Sequence, residues 1–183
     1  AINKVVFNFG QFTLGLAGGK YDENLEKIMM LVGTKDQIEQ MKFYLETERL
    51  ILRDILPTDD ESMFELDANP AVHRYLGNRP IQDIERARTA IANIRQQYQD
   101  NGIGRWATIE KATGAFIGWS GLKFITENEG KNNQSLFYDV GYRFIPKFWG
   151  KGYATECTKT ALQYGFEEMK LQEIVGTCHE ENC

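Results

Sequence analysis

The most constraining feature of the sequence is a strand, a glycine loop, a helix and a second strand in immediate succession. Ser135–Ile145 is rich in Phe and Tyr, as strands are, and Gly150 and Gly152 come directly before the best-patterned helix. That helix is predicted to run from Tyr153 to about Met169, and a strand follows around Ile174. A strand–helix–strand unit requires the two strands to be parallel neighbours in one sheet.

Two further strands are predicted upstream, at Arg105–Glu110 and Ala115–Ile125, joined by a hairpin turn at Lys111–Gly114. A polar loop at 126–134 leads from the second of them to Ser135–Ile145. These three strands form an antiparallel meander. Together with the parallel pair, they predict an α+β fold with a mixed sheet.

Short strand and helix signals precede the meander. Leu50–Arg53 is predicted to be a strand. Thr58 and Glu61 form a capping box that opens one helix, and Asp83 caps a second whose apolar residues have helical spacing. Asn101 and the glycine after it end that second helix.

Length and charge exclude several classes of protein. The 183 residues suit one domain, and the longest apolar run is far shorter than the roughly 20 residues that cross a bilayer. The formal net charge of −5 disfavours a non-specific nucleic-acid binder. Three cysteines without a CxxC pair, and two distant histidines, predict a reduced, cytoplasmic protein without a metal site.

The glycine loop predicts an anion site. Unpaired N–H groups and the positive end of the helix dipole favour a pyrophosphate at the start of the helix, and glycines let a ligand approach the backbone. Lys147 and Lys151 add positive charge on either side. A simple tight turn is the alternative. A P-loop is excluded because its sequence pattern is absent, and a dinucleotide-binding fold is disfavoured because the third glycine is missing.

The two ends predict a circularly permuted chain order. Residues 1–9 have the apolar stripe of a helix without a cap, whereas Asn182 is a good cap without a helix. We expect 1–32 to be the original C-terminal helix and two strands, 33–40 to be a connector, and 41–183 to be the original N-terminal part of a single domain. The alternative is an unrelated extension combined with a truncation.

The residues from Asp139 to Glu156, DVGYRFIPKFWGKGYATE, closely resemble the acetyl-CoA motif of the GNAT superfamily of N-acetyltransferases. Residues Glu46–Arg53, Asn69–Pro70 and Tyr75–Gly77 resemble the branch that contains the ribosomal-protein N-terminal (Rim-type) acetyltransferases. The resemblance implies a splayed mixed sheet of about seven strands with about four helices. It also implies acetyl-CoA as co-substrate, no metal, and direct attack of a primary amine on the thioester.

The resemblance implies roles for individual residues. Catalysis would involve Asp139 as a base acting through water, a backbone N–H at Phe144 or Ile145 polarising the acetyl oxygen, and His179 beside the cleft. The cofactor would bind to Tyr142, Arg143, Phe144, Ile145, Lys147, Trp149, Gly150, Lys151, Gly152, Tyr153, Ala154, Thr155 and Asn182. The acceptor would contact Tyr75, Trp119 and Ser120.

Simpler alternatives exist for these roles. Asp139 is an exposed strand residue in the simplest interpretation, His179 a structural residue and Trp119 a core residue. At the level of the whole chain, a non-catalytic acyl-CoA binding module and an engineered permuted scaffold compete with the enzyme. The acceptor stays open between a protein N-terminus and a small amine. The oligomeric state also stays open, and a segment-swapped dimer is one of the alternatives.

Overall fold

The structure, a computed structural model, describes residues 43–126 and 136–182. The predictions for the helix and two strands in 1–32, for the connector at 33–40 and for most of the polar loop at 126–134 lie outside the described residues. Cys183 also lies outside them.

Six strands form one mixed sheet in the described part of the chain, and their order across the sheet follows their order in the chain. Each strand from β1 to β5 pairs antiparallel with the next, whereas β5 and β6 pair in parallel. The predicted meander, parallel pair and mixed α/β class are therefore confirmed. The strands are β1 Phe43–Glu46, β2 Leu50–Arg53, β3 Trp106–Glu110, β4 Phe116–Ile125, β5 Phe137–Phe144 and β6 Val175–Gly176.

Four α-helices accompany the sheet in the described ranges: α1 Asp60–Asp67, α2 Pro70–His73, α3 Ile84–Asn101 and α4 Tyr153–Gln163. The predicted ends of α3 are confirmed, because the Asp83 side chain accepts the N–H of Arg86 at 3.0 Å and Gly102 ends the helix at φ +68°.

The sheet lies between two helical layers. On one face Trp106 meets Tyr164, just beyond α4, ring edge to ring face at 5.6 Å. On the other face Arg143 of β5 binds Asp67 of α1, which packs against α3. Leu50, Leu52, Trp106, Ile117 and Leu122 are completely or almost completely buried in the core between these layers.

The capping box predicted at Thr58 and Glu61 is wrong. Helix α1 begins at Asp60, after a 3₁₀ turn at Pro57–Asp59. The buried Asp59 carboxylate faces backwards, where it accepts the N–H of Leu56 and both Nη groups of Arg53, each at 2.7 Å. The Asp59 carboxylate therefore binds the buried Arg53 guanidinium and does not cap α1.

The end of α4 also differs from the prediction. The α-helix stops at Gln163 and continues as a π-helical turn over Tyr164–Glu168, not as α-helix to Met169. A Cβ on Gly165 would lie 2.5 Å from Cδ1 of Ile174, so a larger residue at 165 would require the Ile174 side chain, directly before β6, to shift. The strand predicted around Ile174 is likewise shorter, because only two of its residues pair with β5.

Candidate functional site

A cleft opens on one side of β5. The strand pairs with β4 over eight residue pairs, from Ile125↔Phe137 to Gly118↔Phe144. On its other side it pairs with β6 at only Asp139↔Val175 and Val140↔Gly176. Within the described ranges, residues 141–145 have no strand partner on that side, and backbone groups at an open edge can bind an extended ligand.

The pairing with β4 decides which backbone groups face this cleft. The N–H of Ile145 donates to the C=O of Ile117 at 2.9 Å, so it is directed away from the cleft and cannot polarise an acetyl oxygen there. The prediction of the Ile145 N–H as an alternative to that of Phe144 for polarising the acetyl oxygen is therefore wrong. Because N–H groups alternate between the two sides of a strand, those of Tyr142 and Phe144 face the cleft.

A short turn leads from β5 into the glycine loop. Pro146–Phe148 forms a 3₁₀ turn, in which the N–H of Trp149 donates to the C=O of Pro146 at 3.0 Å. This N–H is therefore already bound within the protein in this conformation. The indole Nε1 of Trp149 donates to the C=O of Phe144 at 2.7 Å.

The loop ends at an uncapped helix terminus. Gly150 and Gly152 have φ of +71° and +81°, a backbone conformation that disfavours other residues, and a Cβ on Gly150 would meet no atom within 4 Å. Gly152 is the N-cap of α4 and provides no side-chain cap. Among the described residues, no acceptor binds the N–H groups of residues 150–155, so the start of α4 presents a set of free donors to an anion.

Two residues that sequence reasoning did not assign to the site hold this loop in place. The Glu156 carboxylate accepts the N–H of Arg49 at 3.1 Å and its Nε at 2.7 Å, and it also accepts the Thr47 hydroxyl. Arg49 Nη1 donates to the C=O of Lys151 at 2.9 Å. Burial tends to raise the pKa of Glu156, but the hydrogen bonds from Thr47 and Arg49 outweigh it and lower that pKa below its usual value.

A second contact ties the loop to the β3–β4 hairpin. The Tyr153 hydroxyl donates to the Glu110 carboxylate at 2.5 Å, and the Thr113 hydroxyl donates to its other oxygen at 2.7 Å. The hydrogen bonds from Thr113 and Tyr153 lower the pKa of Glu110, and the bond to Glu110 raises the pKa of Tyr153. Tyr153 is buried, so its part in the site is to hold the first turn of α4.

The two predicted lysines differ in their surroundings. Lys147 forms an exposed ion pair with Glu65 of α1 at 3.0 Å. Both ammonium groups lie over the Phe148 ring, at 5.4 Å for Lys147 and 5.0 Å for Lys151, but Lys151 is within the glycine loop next to the uncapped terminus. Lys151 is therefore the better placed of the two to add positive charge to the anion site.

Asp139 is neither exposed nor free. Its carboxylate forms a salt bridge with Nη2 of Arg105, and both side chains are nearly buried. Arg105 also donates to the backbone C=O of Asp139 at 2.8 Å and to that of Gly121. The simple interpretation as an exposed strand residue is therefore wrong, and the observed contacts join β3, β4 and β5.

The structure brings Tyr75 and His179 together. Their ring centres are 5.4 Å apart, although the two residues are far apart in the chain. His179 is exposed and its Nδ1 accepts the N–H of Glu181 at 3.3 Å. Asn182 follows in the 3₁₀ turn Glu180–Asn182, and its predicted role as a helix cap concerns residues outside the described ranges.

The other two predicted acceptor contacts point to opposite faces of β4. Ser120 is almost completely buried with its hydroxyl oxygen 2.8 Å from that of Thr108, so the prediction that it lines an acceptor pocket is wrong. Trp119 lies on the α1 side, half-buried between the guanidinium groups of Arg143 and Arg105 at 5.0 and 5.4 Å. Arg143 in turn binds Asp67 at 2.6 Å, so its side chain is directed to α1.

Neither a metal site nor a membrane-spanning helix occurs in the described part of the chain. The described residues contain no group of three or more His, Cys, Asp or Glu side chains that could hold a metal ion. No described helix is long and apolar enough to cross a membrane.

Comparison with known proteins agrees with this geometry. A family model described as an acetyltransferase (GNAT) domain matches residues 49–183. The N-acetyltransferase YoaA of Bacillus subtilis is 31% identical over 138 residues, which are 75% of each chain. The FsC-acetyl coenzyme A-N(2)-transacetylase of Aspergillus fumigatus is 31% identical over 134 residues, or 72% of this chain and 56% of the relative.

Solved structures show the same fold. A GNAT-family acetyltransferase from Bacillus anthracis is 28% identical with a TM-score of 0.59, over 76% of this chain and 75% of that one. RimL, a ribosomal L7/L12 alpha-N-protein acetyltransferase solved with coenzyme A, has a TM-score of 0.61 at 14% identity, over 77% of each chain. At that identity the likeness to RimL extends to the fold alone.

Proposed function

Because the chain belongs to the GNAT acetyltransferase family and is therefore an acyltransferase, we propose that it transfers an acetyl group from acetyl-CoA to a primary amine. The observation that carries this proposal is the continuity of two binding surfaces. The open edge of β5 runs directly into the uncapped start of α4, through the turn at Pro146–Phe148.

Each surface suits one part of the cofactor. The pantetheine arm is extended and contains amides, so it can pair with the backbone of Tyr142 and Phe144 as an added strand would. The diphosphate is an anion of the size that a helix N-terminus binds, and the N–H groups of Gly150–Ala154 are available for it. Thr155 is exposed on the same turn, and its hydroxyl is a further donor.

The chemistry proposed for this cleft is direct transfer. The amine nitrogen forms a bond to the thioester carbonyl carbon, the carbon–sulfur bond breaks, and the thiolate of coenzyme A leaves and takes up a proton. The N–H of Phe144 faces the cleft and would stabilise the negative charge that develops on the carbonyl oxygen. The amine must lose a proton, and a group near the Tyr75–His179 pair would accept it.

His179 is a better candidate for this acceptor than Asp139. The Asp139 carboxylate is bound by Arg105 and nearly buried, whereas His179 is exposed at the end of the strand that borders the cleft. We therefore propose His179 and Tyr75 as acceptor-side residues, with Trp119 as a more distant contact. A protein N-terminus and a small amine stay open as acceptors.

A thiol-release assay tests the proposal. Acetyl-CoA is offered with peptide N-termini, polyamines and small primary amines, and the product mass is determined. We expect thiol release that depends on one class of amine, together with an acetylated product. Binding of coenzyme A without amine-dependent release would favour the non-catalytic module, and absence of binding would contradict both.

Three finer predictions belong to the same proposal. They are membership of the Rim-type branch, the permuted order of 1–32, 33–40 and 41–183, and a cytoplasmic location. The first rests on the resemblance of residues Glu46–Arg53, Asn69–Pro70 and Tyr75–Gly77 to that branch, and the second concerns mainly residues outside the described ranges.

A further inference from the structure

The side chain of Trp149 lies across one edge of the cleft. Its indole Nε1 donates to the C=O of Phe144 at 2.7 Å, while about half of the residue (49%) is exposed to solvent. Among the described residues, the Trp149 side chain therefore makes one hydrogen bond at the cleft edge, and it is not buried in the core.

The carbonyl that Trp149 binds faces the cleft. It shares a peptide unit with the N–H of Ile145, which donates to Ile117 of β4 on the opposite side. The C=O and N–H of one peptide unit in a strand point in opposite directions, so the C=O of Phe144 points away from β4. It is the acceptor that the first amide N–H of an added strand-like ligand would use.

We propose that Trp149 is a latch, which occupies this acceptor in the free protein and releases it when the pantetheine arm of coenzyme A binds. This inference rests on the proposed function, because it assumes that the arm pairs with β5. The latch competes with the pantetheine arm. It does not compete with the diphosphate, because the N–H groups proposed to bind the diphosphate lie further along the chain, at residues 150–154.

The surroundings of Trp149 allow the release. Its backbone N–H stays bound to Pro146 at 3.0 Å, so the side chain can rotate about its own torsions without movement of the 3₁₀ turn. The exposed ring leaves no cavity in the core when it turns into solvent. Gly150 follows at φ +71° with open space where a Cβ would lie, so the next residue does not obstruct the ring.

The size of the effect follows from one hydrogen bond. A neutral hydrogen bond contributes little net free energy, which corresponds to a closed-to-open ratio of about two to ten. The apparent affinity for the arm is reduced by the fraction of molecules that are open. Removal of the indole N–H should therefore tighten binding of coenzyme A about three- to elevenfold.

Titration calorimetry with two ligands tests the latch. Coenzyme A has the pantetheine arm, whereas adenosine 3′-phosphate 5′-diphosphate has the diphosphate without the arm. Trp149→Phe retains an aromatic ring and loses the N–H. We expect this variant to bind coenzyme A about three- to elevenfold more tightly than the unmodified protein, and to bind the truncated ligand equally well. Phe166→Leu, which changes an exposed aromatic in the π-helical turn after α4, is the control and should change neither constant.

Tryptophan fluorescence provides a second readout. The chain has three tryptophans, so the emission spectrum of the unmodified protein minus that of Trp149→Phe gives the contribution of Trp149. Coenzyme A should shift this difference spectrum, and the truncated ligand should leave it unchanged.

The outcomes separate the latch from the function. If Trp149→Phe binds coenzyme A equally or more weakly, the latch is wrong and the indole is a ligand contact or a fixed support of β5. If the unmodified protein binds neither ligand, the proposed function fails and the latch fails with it.

Discussion

The carboxylate of Glu156, in the first turn of α4, accepts both the backbone N–H and the side-chain Nε of Arg49 at 3.1 and 2.7 Å. Arg49 also binds the backbone C=O of Lys151 within the glycine loop. Arg49 precedes β2 directly, so these contacts connect β2 to the glycine loop at Lys151 and to the helix after the loop at Glu156. The pair is a support for the loop and leaves its N–H groups available.

We expect Glu156→Gln to destabilise the protein by about 1–2 kcal/mol and to weaken coenzyme A binding severalfold. The substitution keeps the size of the side chain but removes the charge of a partly buried carboxylate, which binds the exposed Arg49 guanidinium and the Thr47 hydroxyl. Glu85→Gln removes one partner of the exposed Glu85–Arg88 pair and should change stability by less than about 0.5 kcal/mol. Thermal melts and titrations measure both effects, and equal results for the two variants would contradict a supporting role for Glu156.

We expect Gly150→Ala to weaken coenzyme A binding at least tenfold. At φ +71° the substitution costs about 1–2 kcal/mol of stability, and its Cβ would project into the open space before α4. Gly102→Ala is a matched control, because Gly102 has φ +68°, has equally open space around it and lies at the end of α3. The two variants should lose similar stability, and only Gly150→Ala should lose affinity. If both bind coenzyme A normally, the anion site is elsewhere.

The sequence predicted the elements of this fold but not the contacts between their side chains. The glycines at 150 and 152, the Asp83 cap and the strands and hairpin turn of the meander are local signals, and the structure confirms them because short-range geometry dominates there. Local patterns do not encode which residue a carboxylate meets after folding. Asp59 binds Arg53 instead of opening α1, and Asp139 binds Arg105 instead of lying exposed.

The same limit applies to the candidate site. Motif resemblance indicated the glycine loop, yet the sequence contained no signal that the N–H groups of Ile145 and Trp149 are already bound within the protein. Arg49 and Glu156 lie in two separate segments that resemble the family, Glu46–Arg53 and Asp139–Glu156. Their role could have been found only by considering the two segments together, since the residues are more than 100 positions apart and meet only in the folded protein.

A double-mutant cycle on Asp139 and Arg105 distinguishes a structural carboxylate from a catalytic one. We expect Asp139→Asn to cost about 3 kcal/mol of stability, because it leaves the buried Arg105 without its counter-charge. Arg105→Gln should cost a similar amount, and the double variant should cost less than the sum. Urea denaturation measures all three. If Asp139→Asn retains full stability but abolishes turnover, Asp139 is the base and His179 is not.

The Tyr75–His179 contact is predicted to act on the amine and not on the cofactor. We expect His179→Ala to lower kcat/KM for the amine at least tenfold and to leave the Kd of coenzyme A unchanged, because the proposed function assigns the ring pair to the amine and the loop at 147–155 to the cofactor. Tyr75→Phe retains the ring and is the matched variant, with a loss of less than about threefold. Steady-state kinetics with the amine found in the thiol-release assay measures both, and an unchanged kcat/KM in His179→Ala would contradict this role.

The bond between the Tyr153 hydroxyl and Glu110 should make stability depend on pH at both extremes. The pKa of Glu110 is lowered in the folded protein, so the stability it contributes is present above the usual value near 4.5 and is lost as the pH falls through the lowered pKa. The pKa of Tyr153 is raised, so its contribution is present below its usual value of 10.0 and is lost as the pH rises through the raised pKa. We expect Tyr153→Phe to be less stable than the unmodified protein at neutral pH and to show a weaker dependence on pH at both ends. Urea unfolding measured from about pH 3 to about pH 11 tests this, and parallel curves for the two proteins would show that the hydroxyl contributes nothing to holding the first turn of α4.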